Sequence, residues 1–309
     1  MRNTILYGDC RETLKQFASY KDKARMCVTS PPYYGLRNYG DEENQIGQEQ
    51  SPEEFIQNLV EVFSLVRDCL TDDGTLWVNI GDSYYNYRPG KGQSYPKQSV
   101  SKTKQDLPDK CNKRGNKLEG LKEKDLIGIP WMLAFALRAD GWYLRQDIIW
   151  HKPNPMPESV RDRCTKSHEY IFLLSKSKKY YYDNEAIKEP AKDWGTRDRT
   201  NGKYHNKGTG LSPHTGLTKS YRTKNKRSVW KVTNKPYKGA HFAVYPPDLI
   251  EPCIKAGSQT GDIILDPFMG SGTTARVARS LNRDYVGCEL HEEYRNLIEI
   301  PSLDGLIEK

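Results

Sequence analysis

The 309-residue sequence predicts an α/β protein built on a mostly parallel, doubly wound sheet with loop-rich insertions. Three observations carry this prediction. Short apolar stretches with the length of buried strands alternate with segments of helical periodicity. Near the C-terminus, a glycine-rich turn joins one of these strands to a helix. Two basic segments without periodicity separate the ordered parts of the chain.

The N-terminal part begins with a strand, a helix and a second strand. A longer helix then opens at Ser51-Pro52-Glu53-Glu54, a capping box with proline at the first helical position. An Asp-Asp-Gly sequence predicts a turn into the next buried strand. The predicted elements are strands at 4–8, 24–29 and 75–80, helices at 11–19 and 51–70, and a turn at 72–74.

The remaining ordered segments continue the alternation. Strands that alternate with helices favour a parallel sheet covered on both faces. The tyrosines at 180–182 are predicted to alternate between the faces of an edge strand. The other predicted elements are helices at 131–139 and 247–256, after Gly272 and from His291, and strands at 143–150, 169–174, 262–265 and 285–287.

The net charge of +8 is distributed unevenly. Residues 84–124 carry 11 Lys/Arg and 4 Asp/Glu, and residues 186–238 carry 14 and 3, so the rest of the chain is acidic. Phosphate contacts supply most of the sequence-independent affinity of proteins for nucleic acid. Two basic segments on an acidic body therefore favour a nucleic-acid partner over simple solvation.

Composition also indicates where in the cell the protein is found and whether it binds a metal ion. No apolar run is long enough for a membrane span, and the N-terminus lacks the apolar core of a secretory signal. Seven cysteines are scattered without a Cys-x-x-Cys pair, and six histidines show no metal-ligand spacing. We predict a reduced protein of the cytoplasm without membrane contact or a metal site.

A strand, a glycine-rich loop and a helix follow one another at residues 262–275. The pattern Gly270-x-Gly272-x-x-Ala275 lets the backbone approach a ligand, while the helix N-terminus offers free N–H groups. Glu289 ends the next strand, where an acidic residue commonly binds ribose hydroxyls. The pattern predicts a site for a nucleoside-like cofactor. The missing Gly-Lys-Ser/Thr excludes a nucleoside-triphosphate loop.

A plain strand–turn–helix and a dinucleotide-dependent dehydrogenase are the alternatives for this motif. A dehydrogenase sheet begins with its glycine turn and adds further strand–helix units after it. Here only 20 residues follow Glu289, so the other strands must come from upstream. The order of the elements therefore favours a permuted nucleoside-binding sheet.

A second motif, Ser30-Pro31-Pro32-Tyr33, follows the apolar strand 24–29. By itself it is also typical of an ordinary diproline loop, but open α/β sheets bind ligands at the C-terminal ends of strands. The Ser30 hydroxyl and the Pro31 carbonyl can accept both N–H bonds of an exocyclic amine, on a backbone that the prolines fix. Tyr33 can stack on a base taken out of its duplex. A sulfonium methyl donor leaves as a neutral thioether, which needs no proton from the protein. The rate of methyl transfer would therefore depend on holding the two reactants in line.

Together the two motifs resemble those of DNA amino-methyltransferases that use S-adenosylmethionine, in the group whose catalytic motif precedes the cofactor motif. Residues 30–33 match the catalytic tetrad of that family, in the serine form typical of enzymes that methylate cytosine N4. Residues 266–274 match its cofactor loop. The resemblance implies a Rossmann-like methyltransferase fold with permuted motif order. It also implies site-specific methyl transfer to the N4 amine of a flipped cytosine in double-stranded DNA.

The same resemblance implies the site residues. Catalytic roles fall to Ser30, Pro31, Pro32 and Tyr33. The cofactor-binding positions are Asp9 near the adenine amine, Glu289 at the ribose, and His241, Phe242, Asp266, Phe268, Gly270, Ser271, Gly272 and Thr273. The candidate DNA contacts are Lys152, which precedes a loop flanking the target-base pocket, and Arg197, Arg199, Arg222, Lys224 and Arg227.

The resemblance also divides the chain into five segments. These are the catalytic half of the core at 1–83, a basic insertion and candidate DNA-contacting loop at 84–124, a continuation of the core at 125–185, a candidate target-recognition region at 186–238, and the cofactor-binding half of the core at 239–309.

Other functions are weighed against this one. The nearest is the same chemistry on adenine N6, and a different class is a nucleic-acid-binding regulator without catalysis. Cytosine C5 methylation needs a Pro-Cys nucleophile downstream of the cofactor motif, whereas Pro252-Cys253 lies upstream within a predicted helix, where Cys253 is predicted to pack in the core. A cognate restriction endonuclease and phage self-protection are both compatible with the predicted activity, so the resemblance implies the cytoplasm of a prokaryotic or phage-infected cell.

Overall fold

The computed structural model describes residues 1–35, 45–85, 118, 120–191, 222–234 and 245–297. Helices and strands alternate through these ranges. The helices are α1 (Cys10–Ala18), α2 (Pro52–Cys69), α3 (Ile129–Ala139), α4 (Pro247–Gly257) and α5 (Thr273–Ser280), with 3₁₀ turns at Glu185–Ile187 and Glu292–Leu297. The strands are β1 (Thr4–Tyr7), β2 (Ala24–Thr29), β3 (Leu70–Ile80), β4 (Tyr143–His151), β5 (His168–Ser175), β6 (Glu189–Pro190), β7 (Thr223–Lys224), β8 (Val229–Lys231), β9 (Ile263–Asp266) and β10 (Asp284–Glu289).

Eight strands form one sheet in the order β1-β10-β9-β2-β3-β5-β4-β8, and β6 pairs with β7 in a separate small sheet. The neighbours from β1 to β3 are all parallel. Among the described strands of the large sheet, β5 alone runs antiparallel to both of its neighbours, β3 and β4. The predicted α/β class and mostly parallel sheet are confirmed.

Apolar side chains cover both faces of this sheet. Residues of α1, α2 and α3 form one buried cluster against it, and residues of α4 and α5 form the other. The helix start predicted at Ser51 is present, since Ser51 Oγ accepts from the Glu54 backbone N–H at 3.2 Å, while Glu54 Oε2 reaches back to the Gln50 N–H at 3.2 Å. Cys253 of α4 is fully buried in the second cluster, as predicted. Within the described ranges, no helix combines the length and apolarity that crossing a bilayer requires.

Two local predictions are wrong. Residues 72–74 are not a turn before a strand but part of β3, where the register shifts between Ala24 and Met26 of β2. The glycine is needed for close approach, because a Cβ on Gly74 would lie 2.9 Å from the Thr71 carbonyl oxygen.

The tyrosines at 180–182 do not form an edge strand. Each ring instead contacts a partner of its own: Arg145 lies over Tyr180, Arg25 lies over Tyr181, and Tyr182 stacks on Trp77. These separate contacts hold the segment in an irregular path.

Candidate active site

A cavity of about 700 Å³ opens at the carboxyl edge of the parallel strands. Because β5 is antiparallel, its N-terminal end reaches the same edge. The cavity brings residues of both motifs together. The predicted catalytic and cofactor residues that line it are Asp9, Ser30, Pro31, Pro32, Tyr33, Phe268, Gly270, Ser271, Thr273 and Glu289.

The tyrosine of the turn at residues 30–33 is held at two points. Its hydroxyl donates to Glu169 Oε2 at 2.7 Å. Its ring lies against the backbone of Gly81, where an added Cβ would be 2.7 Å from Tyr33 Cε2. The position and the tilt of the ring are therefore set by residues at the ends of β3 and β5, which lie beside it.

Glu169 joins this tyrosine to a cation and an amide. Its Oε1 pairs with Lys152 Nζ, and its Oε2 also accepts from Asn79 Nδ2 at 3.3 Å. The Lys152 ammonium lies 4.2 Å from the centre of the Trp150 ring. The side chains of Lys152 and Glu169 are only 17% and 13% exposed, so the pair is shielded from solvent. The structure thus places Lys152 in the cavity wall rather than on an open surface.

Several residues that line the cavity had no role in the sequence-based prediction, among them Asn79, Gly81, Lys166 and Glu169. Lys166 Nζ donates to the Asp82 carbonyl at 2.9 Å, and burial lowers the pKa of its ammonium. The one signal that these residues share is position, since all lie at or close to strand ends on the edge where the motifs meet.

Asp266 lies behind the cofactor loop, not in the lining of the cavity. Its carboxylate is 1% exposed and accepts from Thr29 Oγ1 at 2.6 Å and from the Phe268 backbone N–H at 3.0 Å. The hydroxyls of Tyr245 and Thr274 complete its shell. Burial raises the pKa of this carboxyl, and the hydrogen bonds oppose the rise. The carboxylate ties β2 to the start of the loop and fixes the loop's path.

Two glycines of the loop adopt positive φ, 53° at Gly270 and 78° at Gly272. Gly272 is the N-cap residue of α5 and lies behind the lining. Gly270 faces the cavity, and its N–H donates to Glu289 Oε2 at 2.8 Å. The loop therefore turns in a way that side chains with a Cβ rarely tolerate.

Glu289 is 7% exposed and lines the cavity beside the glycine loop. Its two oxygens accept backbone N–H bonds from Gly270, at 2.8 Å, and from His291, at 3.1 Å. Burial raises the pKa of the carboxyl, and these two hydrogen bonds act against the rise. Each oxygen keeps a second lone pair, so the group can still accept from ligand hydroxyls.

Asp9 supplies a second carboxylate to the lining. It caps α1 by accepting from the Arg11 backbone N–H at 2.9 Å, and it pairs with Arg11 Nη2 at 2.6 Å. Burial acts to raise its pKa, but the hydrogen bonds from Arg11 outweigh burial and lower the pKa overall. The group is therefore ionised at neutral pH and can accept from an amine.

The remaining predicted residues lie elsewhere. His241, Phe242, Arg197 and Arg199 are outside the described residues. Lys224 and Arg227 surround Glu189 beside the small sheet, at 4.0 and 3.2 Å from its Oε2, and Arg222 is exposed next to them. In the described part of the chain, no three His, Cys, Asp or Glu side chains are grouped to hold a metal ion.

Comparison with known proteins agrees with this geometry. A family model described as DNA methylase matches residues 24–299. The chain is 48% identical over 298 residues to the type II methyltransferase M.SmaI of Serratia marcescens, covering 95% of this chain and 88% of that protein. It is 47% identical over 291 residues to M.Cfr9I of Citrobacter freundii, with coverage of 94% and 84%. The chain therefore belongs to the DNA methylase family.

Solved structures share its fold. The PvuII DNA methyltransferase (cytosine-N4-specific) superposes with a TM-score of 0.59 at 16% identity, covering all of this chain and 91% of that one. TTHA0409 of Thermus thermophilus, solved in complex with S-adenosyl-L-methionine, also gives 0.59, at 22% identity and coverage of 96% and 91%. The predicted Rossmann-like methyltransferase fold is confirmed.

Proposed function

We propose that the protein transfers the methyl group of S-adenosylmethionine to the N4 amine of a cytosine flipped out of double-stranded DNA. One observation carries the proposal: the serine turn at residues 30–33 and the carboxylates of Asp9 and Glu289 line the same cavity. The turn suits an amine acceptor, and the two carboxylates suit a nucleoside-like donor.

The cofactor half of the cavity fits S-adenosylmethionine by its donor set. The Glu289 carboxylate, already braced by two backbone N–H bonds, can accept both ribose hydroxyls. Asp9, held ionised by Arg11, can accept from the adenine amine. Phe268 offers an apolar ring in the same wall. The bound cofactor supplies an electrophilic methyl group carried on a sulfonium sulfur. Once the methyl group is transferred, the rest of the cofactor departs as a neutral thioether, so no protein acid is needed at the leaving group.

The amine half rests on the serine turn. The Ser30 hydroxyl and the Pro31 carbonyl accept the two N–H bonds, and this aims the nitrogen lone pair at the methyl group. One proton then leaves the methylated nitrogen for solvent through these acceptors. Tyr33, fixed by Glu169 and Gly81, stacks on the flipped ring. Rate comes from positioning two reactants in line rather than from acid–base chemistry.

Serine at position 30 favours cytosine N4 as the acceptor. Adenine N6 is the second candidate, because an exocyclic amine on either base presents two N–H bonds to the same two acceptors. Lys152 can donate to a ring nitrogen beside the amine in both bases, so it supports either target.

We assign DNA contact to the two basic segments, 84–124 and 186–238, with target recognition in the second. Lys224, Lys226 and Arg227 of that second segment share a single carboxylate, that of Glu189, and Arg222 is exposed in the same segment. This leaves a positive surface suited to phosphate. The type II names of M.SmaI and M.Cfr9I support a cognate restriction endonuclease as the biological partner.

The test is to identify the product. The protein is incubated with genomic DNA and S-adenosylmethionine labelled in the methyl group, and the DNA is digested to nucleosides. Label in N4-methylcytosine is the expected result. Label in N6-methyladenine would move the proposal to its second candidate, and no label in DNA from several sources would overturn both.

A further inference from the structure

The loop between β4 and β5, residues 152–167, carries the most exposed large apolar side chain of the described residues. Met156 is 75% exposed, yet it also lines the active-site cavity. It therefore stands on the rim, with one side toward the cavity and the rest of the side chain projecting into solvent. Single exposed apolar side chains are common on protein surfaces, so what distinguishes Met156 is its place at the mouth of the active-site cavity.

The loop that presents Met156 is braced from several sides. Its ends are joined by the Lys152 N–H donating to the Ser167 carbonyl at 2.8 Å. Asn154 exchanges two hydrogen bonds with the Asn234 backbone, at 3.1 and 3.2 Å. Further along the loop, Arg163 lies 3.8 Å from the centre of the Tyr84 ring. A loop held in this way presents its apex in one place.

The sequence stiffens the apex as well. Met156 lies between Pro155 and Pro157, and a residue before proline is restricted to extended backbone. The two prolines also line the cavity. The backbone that carries the methionine is thus fixed in the rim, while its unbranched side chain keeps its freedom.

Charge around the apex indicates what covers it. The loop carries four basic and two acidic residues. Lys152, Arg163 and Lys166 are engaged by contacts within the protein, whereas Arg161 is exposed on the same loop. An exposed cation on the same loop as an apolar projection suits a surface of phosphates with an apolar interior, which is a nucleic-acid duplex.

We propose that Met156 enters the base stack of the DNA duplex at the place that the target base leaves. The inference rests on the proposed function, since it requires a base to be flipped into this cavity. Extruding a base costs unstacking and unpairing energy. Apolar wedges of this type, methionine among them, offset that cost by filling the gap between neighbouring bases.

The test compares Met156→Ala on two DNA duplexes after the target base has been located by product analysis. One duplex is fully paired, and the other carries an abasic site opposite the target base, which removes its pairing. On the paired duplex we expect kcat/KM to fall roughly tenfold to a hundredfold, because unpairing and unstacking are both costly. On the abasic duplex the variant should recover to within about threefold of the wild type, since less pairing energy remains to be offset.

Three variants serve as controls. Met156→Leu keeps an apolar side chain and should retain activity on the paired duplex, whereas Met156→Gln keeps the length but not the apolarity and should behave as Met156→Ala. Val160→Ala removes an apolar group from the same loop away from the cavity lining and should match the wild type.

An equal loss on both duplexes would overturn the wedge and point to a general role in DNA or protein contact. An absence of loss on the paired duplex would overturn it as well. Neither result touches the proposed function, which fails only if the wild type itself methylates no DNA.

Discussion

The hydroxyl of Thr29 donates to the Asp266 carboxylate at 2.6 Å, across 237 residues of chain. Thr29 is the last residue of β2 and precedes the serine turn, while Asp266 is the last residue of β9 and precedes the cofactor loop. The two strands are neighbours in the sheet. One buried hydrogen bond thus sets the spacing between the half of the cavity that suits the amine and the half that suits the methyl donor.

Thr29→Val tests this bond. Valine has nearly the shape of threonine but leaves Asp266 with one donor fewer in a fully buried place. We expect the free energy of unfolding to fall by about 1–3 kcal/mol, measured by chemical denaturation. Thr4→Val is the matched control, because the Thr4 hydroxyl donates to the Arg2 carbonyl in an exposed place, and it should change stability little. Equal effects of the two substitutions would contradict the role given to the buried bond.

Glu289→Gln tests the cofactor end of the cavity. An amide has one oxygen where the carboxylate has two, so it cannot accept from both Gly270 and His291 while facing the ribose. We expect the Kd for S-adenosylmethionine to rise roughly tenfold or more, as measured by calorimetry. Glu251→Gln removes an exposed carboxylate from α4 and should leave the Kd unchanged. A wild-type Kd in Glu289→Gln would remove Glu289 from the site.

Acid should weaken cofactor binding through the same residue. The pKa of Glu289 is raised above 4.5 by burial, whereas the pKa of Asp9 is lowered by Arg11, so Glu289 takes up its proton first on acidification. In the proposed function, the ionised form accepts the ribose hydroxyls. Affinity should therefore be full above the raised pKa of Glu289 and be lost as the pH falls through it.

Measured at successively lower pH from neutrality, the Kd should rise in the wild type as the pH falls through the pKa of Glu289. In Glu289→Gln it should change much less over the same interval. The same pH dependence in both proteins would assign the effect to another group.

Glu169→Gln should affect methyl transfer rather than cofactor binding. The change keeps the shape but removes the charge that neutralises Lys152, and it loosens the acceptor of the Tyr33 hydroxyl. We expect the single-turnover rate to fall roughly tenfold to a hundredfold with the Kd for S-adenosylmethionine unchanged, because the loss concerns base positioning.

A double variant that combines Glu169→Gln with Tyr33→Phe tests whether Glu169 acts by positioning the tyrosine. If Glu169 acts through the tyrosine hydroxyl, the double variant should lose less than the two single variants together. Strictly additive losses would separate Glu169 from Tyr33.

Local patterns made part of the site predictable from the sequence. The serine turn, the glycine loop and Glu289 each follow or end an apolar strand, and parallel strands bring such ends to one edge. Glu169 was missed because its partners Tyr33 and Asn79 are 136 and 90 residues away, and nothing beside it in the chain marks that contact.

Asp266 was identified from the sequence, but the direction of its side chain was not. Its place in the motif predicted a cofactor contact, but the structure turns its carboxylate inward to Thr29, and no local pattern shows which way a strand-end side chain points. The Asp-Asp-Gly sequence likewise is typical of a turn, although here it lies within β3, at the point where the register with β2 shifts.

The serine turn is proposed to act on the amine, while the separate carboxylates hold the methyl donor. Ser30→Ala tests this division most directly, with the single-turnover rate of methyl transfer and the Kd for S-adenosylmethionine measured on the same preparation. We predict a rate lower by about a hundredfold or more, since the amine loses one of the two acceptors that aim it, and an unchanged Kd. A wild-type rate, or a loss in rate matched by an equal loss in affinity, would contradict it.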